Sequence, residues 1–504
     1  MIESSELVEQ NPWWKKEEAI MKDKHVLAWN ESTVKWEPRV SYTFAGYSTY
    51  GPSKDVIYVI RGPRQVGKTT FLKRWIERLL ERGTDPKNVF YWTCDLVENP
   101  NKLSELVESF LDFSGASKQR KYIFLDEISS VADWQKGIMY LVNSGKLKNC
   151  TVILTGSHSL DIKKSAELLP GRRGKEAIPD RMFLPMKFSE YAETLNEEIK
   201  RAMRLSNLDI LRKSRRKDLI GSILKGNIPK EIKSLNLYSK ELISLFERYL
   251  ITGGIPNAVH NLQKKGKIPD YLYNDHLNAV LGDLARWNMK ERYLRQVLRR
   301  IVETLATPVS WRTLMRGTDI GAHTTIENYV GVLSDAFVLS YIYALDFKSD
   351  KPCYPGDKKI YFSDPFFFHT LNALLSGKNP FETSNTFLSI PENKAKLVEC
   401  VVSDHLIRLS FNLFHTQQHY DYANFLFYWR SKDSHEMDFA LKVNKKFLPI
   451  ELKYSSSIEK SDLTGLRSFM MKKRLKTGIV LSRDVLKQMG NITIIPAHIF
   501  LLIV

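Results

Sequence analysis

Lys68 and Thr69 lie near the end of the run Gly62-Pro63-Arg64-Gln65-Val66-Gly67-Lys68-Thr69-Thr70, which fits G-x-x-x-x-G-K-[ST] at every fixed position. The chemistry of that spacing is phosphate binding. Glycines at both ends let the backbone curl so that several N–H groups and a helix N-terminus point at one anion. Lys68 would reach the β and γ phosphates of ATP, and Thr69 would hold Mg2+. The motif needs a strand before it and a helix after it. Val56-Ile57-Tyr58-Val59-Ile60 and Phe71-Leu72-Lys73-Arg74-Trp75-Ile76 have those patterns.

A second group of acids sits further along. Tyr122-Ile123-Phe124-Leu125 runs into Asp126 and Glu127, the form of a Walker B element. Asp126 would orient the Mg2+ shell and Glu127 would polarise the attacking water, because phosphoryl transfer is catalysed chiefly by positioning and charge. The next apolar strand, Thr151 to Leu154, closes on Thr155-Gly156-Ser157. Thr155 and Ser157 are candidates for sensing the γ-phosphate; a serine helix cap before Leu160 is the alternative. Arg172 and Arg173, between Gly171 and Gly174, are candidates for an arginine finger acting in cis or across the boundary of a homo-oligomer. A generic basic loop is the other reading of that pair.

A third group is C-terminal. Glu436 to Val443 and Phe447 to Tyr454 read as a hairpin around Asn444-Lys445-Lys446. Period-two alternation puts Met437, Phe439, Leu441 and Val443 on one face of the first strand, and Leu448, Ile450, Leu452 and Tyr454 on one face of the second. If both apolar sets enter one core, Asp438, Glu451 and Lys453 meet on the opposite face. That trio resembles the PD-(D/E)XK nuclease motif, which implies carboxylates and the Leu452 carbonyl on Mg2+ and Lys453 beside an attacking water. Glu399 falls on the stripe of Val402, Leu406 and Leu409 in a predicted helix from Lys394 to Leu409. A carboxylate on an apolar stripe is costly unless paired or metal-bound. An exposed hairpin and a helix-start glutamate are the plain alternative.

These groups need elements to hold them. From Val56 the chain alternates strand and helix, with a strand at Asn88 to Trp92 and a helix around Leu103 to Phe110. The 504 residues suggest about three domains of roughly 150 residues. Trp13, Trp14, Trp29 and Trp36 make the first 50 residues too aromatic for a disordered tail, so they are expected to pack on the domain that follows. Tyr293 to Ala306 is amphipathic, Ser310 caps a second helix, and a third carries Ile326, Val330, Leu333 and Phe337 inward. That is helix-turn-helix spacing followed by a wing-like strand, Val338 to Tyr343. The face with His323, Thr324, Thr325, Glu327 and Asn328 serves a DNA contact or a protein contact equally well.

The net charge of +18 favours polyanionic partners and salt-dependent binding to nucleic acid. Much of the excess falls between Lys200 and Lys233. Four widely separated cysteines without a C-x-x-C indicate neither a zinc module nor a disulfide framework, and fit a reducing cytoplasmic compartment. No apolar run approaches the ~20 residues of a spanning helix, so no membrane association is expected.

Gly62 to Thr69, Phe124 to Ile128 with Trp134, Thr155-Gly156-Ser157 and Phe183 to Tyr191 together resemble the archaeal and bacterial AAA-type ATPases with a restriction-endonuclease-like C-terminal domain. Tyr249 to Ala258 looks like that family's lid motif, which implies Gly254 and Pro256 beside the nucleotide base. The resemblance also implies a winged helix and an acid from the first nuclease-like helix next to Asp438. The expected fold is α/β: an N-terminal segment over 1–50, a P-loop ATPase core over 51–195 and a helical lid with a basic insertion over 196–290. A winged helix over 291–350 and a restriction-endonuclease-like domain over 351–504 complete it. The expected function is an ATP- and Mg2+-dependent ATPase that couples its nucleotide state to a DNA-binding C-terminal domain, with DNA cleavage by that domain left open. The alternative is a nucleotide-gated switch whose C-terminal domain only binds a partner.

Overall fold

The computed structural model describes residues 4–36, 55–115, 118–157, 180–208, 213–223, 225–414, 420–433, 435–443 and 446–504. The chain divides into two units, Met1–Leu184 and Pro185–Val504.

Among the described residues of the first unit, five strands form one parallel sheet: β1 (Val56–Arg61), β2 (Val89–Thr93), β3 (Lys121–Asp126), β4 (Cys150–Gly156) and β5 (Asp180–Met182). Their order is β2-β3-β4-β1-β5. Every residue of β1 and β4 is buried, as expected for parallel strands covered on both faces. The sheet carries the carboxyl ends of β1 and β3 to the same edge with β4 between them, so the phosphate loop and Asp126 emerge side by side. Ligands of open α/β sheets bind at that edge. The short β5 was not foreseen in the sequence.

The N-terminal segment closes the exposed side of β2. Asn11 receives the Tyr91 N–H on Oδ1 at 2.7 Å and donates Nδ2 to the Tyr91 carbonyl at 3.0 Å, a side chain pairing like a neighbouring strand. Trp13 and Trp14 both donate Nε1 to the Val89 carbonyl, at 3.0 and 2.8 Å. Trp14 also stacks on Phe113 with ring centres 4.3 Å apart. An edge strand is thereby capped instead of left open for pairing with another chain. The tryptophans are packing anchors.

The second unit begins with helices and ends in a nine-stranded sheet, again among the described residues. The three helices Glu291–Glu303, Trp311–Met315 and His323–Asp335 form where the periodicity puts them, and Ser310 caps the second by accepting from the Thr313 N–H at 3.0 Å. The strand after them differs from the expected wing. It is β6 (Leu339–Asp346), which pairs with β7 (Lys351–Pro352), antiparallel with β8 (Lys358–Phe362) and parallel with β9 (Leu426–Arg430). The sheet therefore crosses residue 350. It continues through β10 (Glu436–Val443), β11 (Lys446–Leu452), β12 (Gly478–Ser482), β14 (Ile492–Pro496) and the edge strand β13 (Lys487–Met489).

Two local patterns were misread. Ile499 to Leu501, whose apolar run after Ile492 to Ala497 reads in the sequence as a closing strand, belong to a buried helix, Ala497–Ile503. An apolar run buried all round has no periodicity to distinguish the two, and Pro496 marks where β14 ends and the helix starts. In β10 a bulge against β9 falls between Met437 and Ala440. Met437 consequently joins Ala440, Phe447 and Trp429 in one core cluster instead of sharing the side of Phe439. Both faces of the hairpin are covered.

Candidate nucleotide site and a carboxylate cluster

The phosphate loop follows β1 and leads into the helix Lys68–Glu81. Gln65 and Gly67 have φ of 63° and 100°, the left-handed turns that curl this backbone. Lys68 is buried and donates Nζ to the carbonyls of Gly62 at 3.0 Å and Pro63 at 2.8 Å. Glu127 Oε1 lies 3.8 Å from the same ammonium. Thr69 donates its hydroxyl to Asp126 Oδ2 at 2.7 Å. A hydroxyl and a carboxylate so placed are the hard oxygen donors that suit Mg2+.

Asp126 is held from three sides. Besides Thr69, the Tyr91 hydroxyl donates to Oδ2 at 3.1 Å and Thr155 Oγ1 donates to Oδ1. Burial, with the Asp126 carboxylate next, pushes the Tyr91 phenol up, so it remains a donor. Thr155 Oγ1 also accepts the Glu127 N–H at 3.1 Å. Ser157 donates to Glu127 Oε2 at 3.2 Å. Glu127 itself has φ of 51°, a conformation uncommon outside glycine. Lys68, Thr69, Asp126, Glu127 and Ser157 are thus brought together. Arg172 and Arg173 lie outside the described residues.

Tyr91 was missed, since a tyrosine in an apolar strand carries no motif. So was a link behind it: Lys73 Nζ lies 3.4 Å from Asp23 Oδ2 and 3.4 Å from the centre of the Tyr91 ring.

In the second unit Pro256 takes the first position of the helix Pro256–Lys265. The preceding glycine pair has a packing reason. A Cβ on Gly253 would lie 1.7 Å from Asp364 Oδ1, and one on Gly254 would lie 2.0 Å from the Met186 carbonyl oxygen. Asp364 accepts the Gly254 N–H at 2.8 Å.

The C-terminal acids come together, with an occupant the sequence reading did not foresee. Phe439 pairs with Ile450, so Asp438 falls opposite Glu451, and Asp438 Oδ2 accepts the Leu452 N–H at 2.9 Å. At the centre is Lys359 from β8. Its Nζ lies 3.1 Å from Glu399 Oε1, 2.8 Å from Glu436 Oε1 and 2.9 Å from Asp438 Oδ1. Tyr361 donates its hydroxyl to Glu399 Oε1 at 2.9 Å. Lys453 Nζ is paired with Glu451 Oε1 at 2.9 Å.

Burial opposes the charge of Lys359, but Asp438, Glu399 and Glu436 outweigh it and hold the ammonium well above its usual range. Burial pushes Glu399 up to about 7 against the pull of Lys359. Burial and then the nearby Asp438 charge push Glu451 up to about 8. A divalent ion does not fit this cluster as it stands: an ammonium already bridges Glu399 and Asp438. Among the described residues no group of three or more His, Cys, Asp or Glu side chains is arranged to hold a metal. One signal for Lys359 was present: alternation sets it with Tyr361 on the face of β8 opposite Ile360 and Phe362.

Comparisons with known proteins fit the first unit. Residues 54–192 match a family described as an AAA domain, 243–379 match a domain of unknown function (DUF8612), and 394–500 match another (DUF4143). An uncharacterised protein of Methanocaldococcus jannaschii is 24% identical over 405 residues, covering 77% of this chain and 76% of its own. An uncharacterised protein of Haemophilus influenzae is 28% identical over 149 residues, 28% of this chain and 34% of its own.

Among solved structures, the Aeropyrum pernix ORC2 protein in ADPNP-ADP complexes gives a TM-score of 0.31 at 12% identity, over 64% of this chain and 88% of that one. The Aeropyrum pernix ORC1 protein in complex with DNA gives 0.27 at 10% identity, over 74% and 97%. The AAA match and the parallel sheet with its phosphate loop support a P-loop ATPase.

Proposed function

We propose that the protein binds and hydrolyses ATP with Mg2+ and that its nucleotide state governs DNA binding by the C-terminal part of the chain. The observation that carries the ATP half is the convergence of Lys68, Thr69, Asp126 and Glu127, with Thr69 and Asp126 2.7 Å apart and Lys68 and Glu127 3.8 Å apart. Backbone N–H groups from Gly62 to Thr70 would cradle the phosphates, with Lys68 leaving its two loop carbonyls for phosphate oxygens. Glu127 would orient the attacking water while Ser157 fixes its carboxylate. Thr69 and Asp126 would hold Mg2+, which neutralises charge on the phosphate oxygens. The DNA half rests on the charge of +18.

A second reading is favoured by Lys359. A carboxylate cluster already satisfied by an ammonium supports a C-terminal domain that binds a partner without cutting it, making the protein a nucleotide-gated switch. Cleavage by Asp438, Glu451 and Lys453 is the reading this disfavours.

The test is ATP turnover and nucleotide affinity in two variants. Lys68→Ala is expected to lose nucleotide binding; Glu127→Gln is expected to keep it and stop hydrolysis. Normal turnover by Glu127→Gln would remove Glu127 from the mechanism.

A further inference from the structure

We propose that Lys359 stands in for the divalent cation of the C-terminal carboxylate cluster, so that Glu399, Glu436 and Asp438 enclose a built-in ammonium where a nuclease-like site would hold a metal. An ammonium has three N–H donors, and three carboxylates lie within 2.8 to 3.1 Å of this one. It donates hydrogen bonds to Glu399 and Asp438, and Glu436 adds a third ion-pair contact. The side chain is 1% exposed, so these carboxylates and not bulk water surround the charge.

A metal would have to enter the same space. Mg2+ requires oxygens at about 2.0–2.1 Å, in octahedral order, and the ammonium nitrogen already sits between the oxygens of Glu399 and Asp438. Two positive centres there would repel each other in a region of low dielectric. The remaining acid is committed elsewhere: Glu451 Oε1 pairs with Lys453, and its Oε2 lies 3.4 Å from the Asp438 N–H. The strand supplying Lys359 is not part of the hairpin that carries Asp438 and Glu451. It is β8, which pairs with β6 and not with the hairpin, a placement no hairpin motif encodes.

With the lysine in place the cluster links three segments of chain, at residues 359, 399 and 436–438, and has no metal-bound water to deliver to a phosphodiester. Removing the ammonium leaves the same oxygens without a counter-ion, and a divalent ion is the replacement of matching preference.

Mn2+ binding to the nucleotide-free full-length chain, followed by electron paramagnetic resonance, tests this. Wild type is expected to show no bound Mn2+ that Asp438→Asn removes. Lys359→Met is expected to gain one Mn2+ with an affinity at least tenfold above any in wild type, and to be stabilised against heat by Mn2+. Both gains should vanish in Lys359→Met/Asp438→Asn. Wild-type Mn2+ binding that Asp438→Asn abolishes would overturn the proposal, as would a folded Lys359→Met that gains no ion. If Lys359→Met does not fold in any metal, the wild-type comparison alone decides. ATP turnover by wild type plays no part in these readouts, so loss of the ATPase reading and loss of this one are distinguishable.

Discussion

The Tyr91 hydroxyl donates to Asp126 Oδ2 at 3.1 Å, on the same carboxylate oxygen that accepts from Thr69. A phenol in β2 thus orients the acid at the end of β3. Hydrogen bonds to a charged group contribute about 1.5–3 kcal/mol. Tyr91→Phe is expected to lower the rate of ATP hydrolysis roughly tenfold, with a weaker apparent affinity for Mg2+ and little change in nucleotide binding. Steady-state turnover against Mg2+ concentration measures both. A variant with normal Mg2+ dependence would make Tyr91 packing alone.

The same strand depends on residues some 80 positions earlier in the chain. Asn11 satisfies both the N–H and the carbonyl of Tyr91. Asn11→Ala would leave both buried backbone groups without that partner, at a cost of about 1–3 kcal/mol. Denaturant unfolding should show the loss, and hydrogen exchange should show faster opening at the Tyr91 amide than at Ile123 in the interior strand. Equal protection at the two amides would show that the N-terminal segment does not support β2.

The phosphate loop was fully legible because its glycines, lysine and threonine are adjacent in sequence and their chemistry needs that adjacency. Asp438 and Glu451 were legible as a pair because alternation places strand side chains on faces, whereas Glu399 was read from a helical stripe and joined to them through the family resemblance. Lys359 was invisible as their partner, since its place depends on which strands neighbour β6 in a nine-stranded sheet. The extent of β6 past the expected wing has the same cause. Period-two spacing shows that a strand exists, while its neighbours are chosen by long-range packing. The bulge beside Asp438 likewise left no mark that could correct the assignment of Met437.

Asp364 gives a pH dependence whose sign can be worked out. Burial pushes its carboxyl up to about 7, against the N–H groups of Gly254 and Phe366 that favour the charged form. A carboxyl raised in the folded state keeps a proton that the unfolded chain releases. Its contribution is therefore fully present below about pH 4 and is lost as pH rises through about 7, at up to ~1.4 kcal/mol per pH unit. His276, His369 and His498, each lowered to about 4 chiefly by burial, act in the opposite direction over the acid part of that range. The difference between wild type and Asp364→Asn isolates the carboxyl. Wild type is expected to lose stability relative to the variant between pH 5 and 7, and to change little above pH 8. A constant difference over pH 5 to 7 would mean that Asp364 is charged throughout.

Gly62 illustrates how a motif position can have a second cause. The phosphate loop needs small residues for close approach of an anion, so a side chain there would be expected to harm ligand binding alone. A Cβ at Gly62 would instead lie 1.9 Å from the Phe183 carbonyl oxygen, and that backbone is fixed because Phe183 donates its N–H to the Arg61 carbonyl at 2.6 Å. Relief requires β1 and the chain after β5 to part. Gly62→Ala is therefore expected to destabilise the nucleotide-free protein by on the order of 2–4 kcal/mol, as overpacking against backbone does. Thermal or denaturant unfolding without ATP reads this directly. Unchanged stability with weakened nucleotide binding would return Gly62 to the phosphate role alone, and show that β5 can yield at little cost.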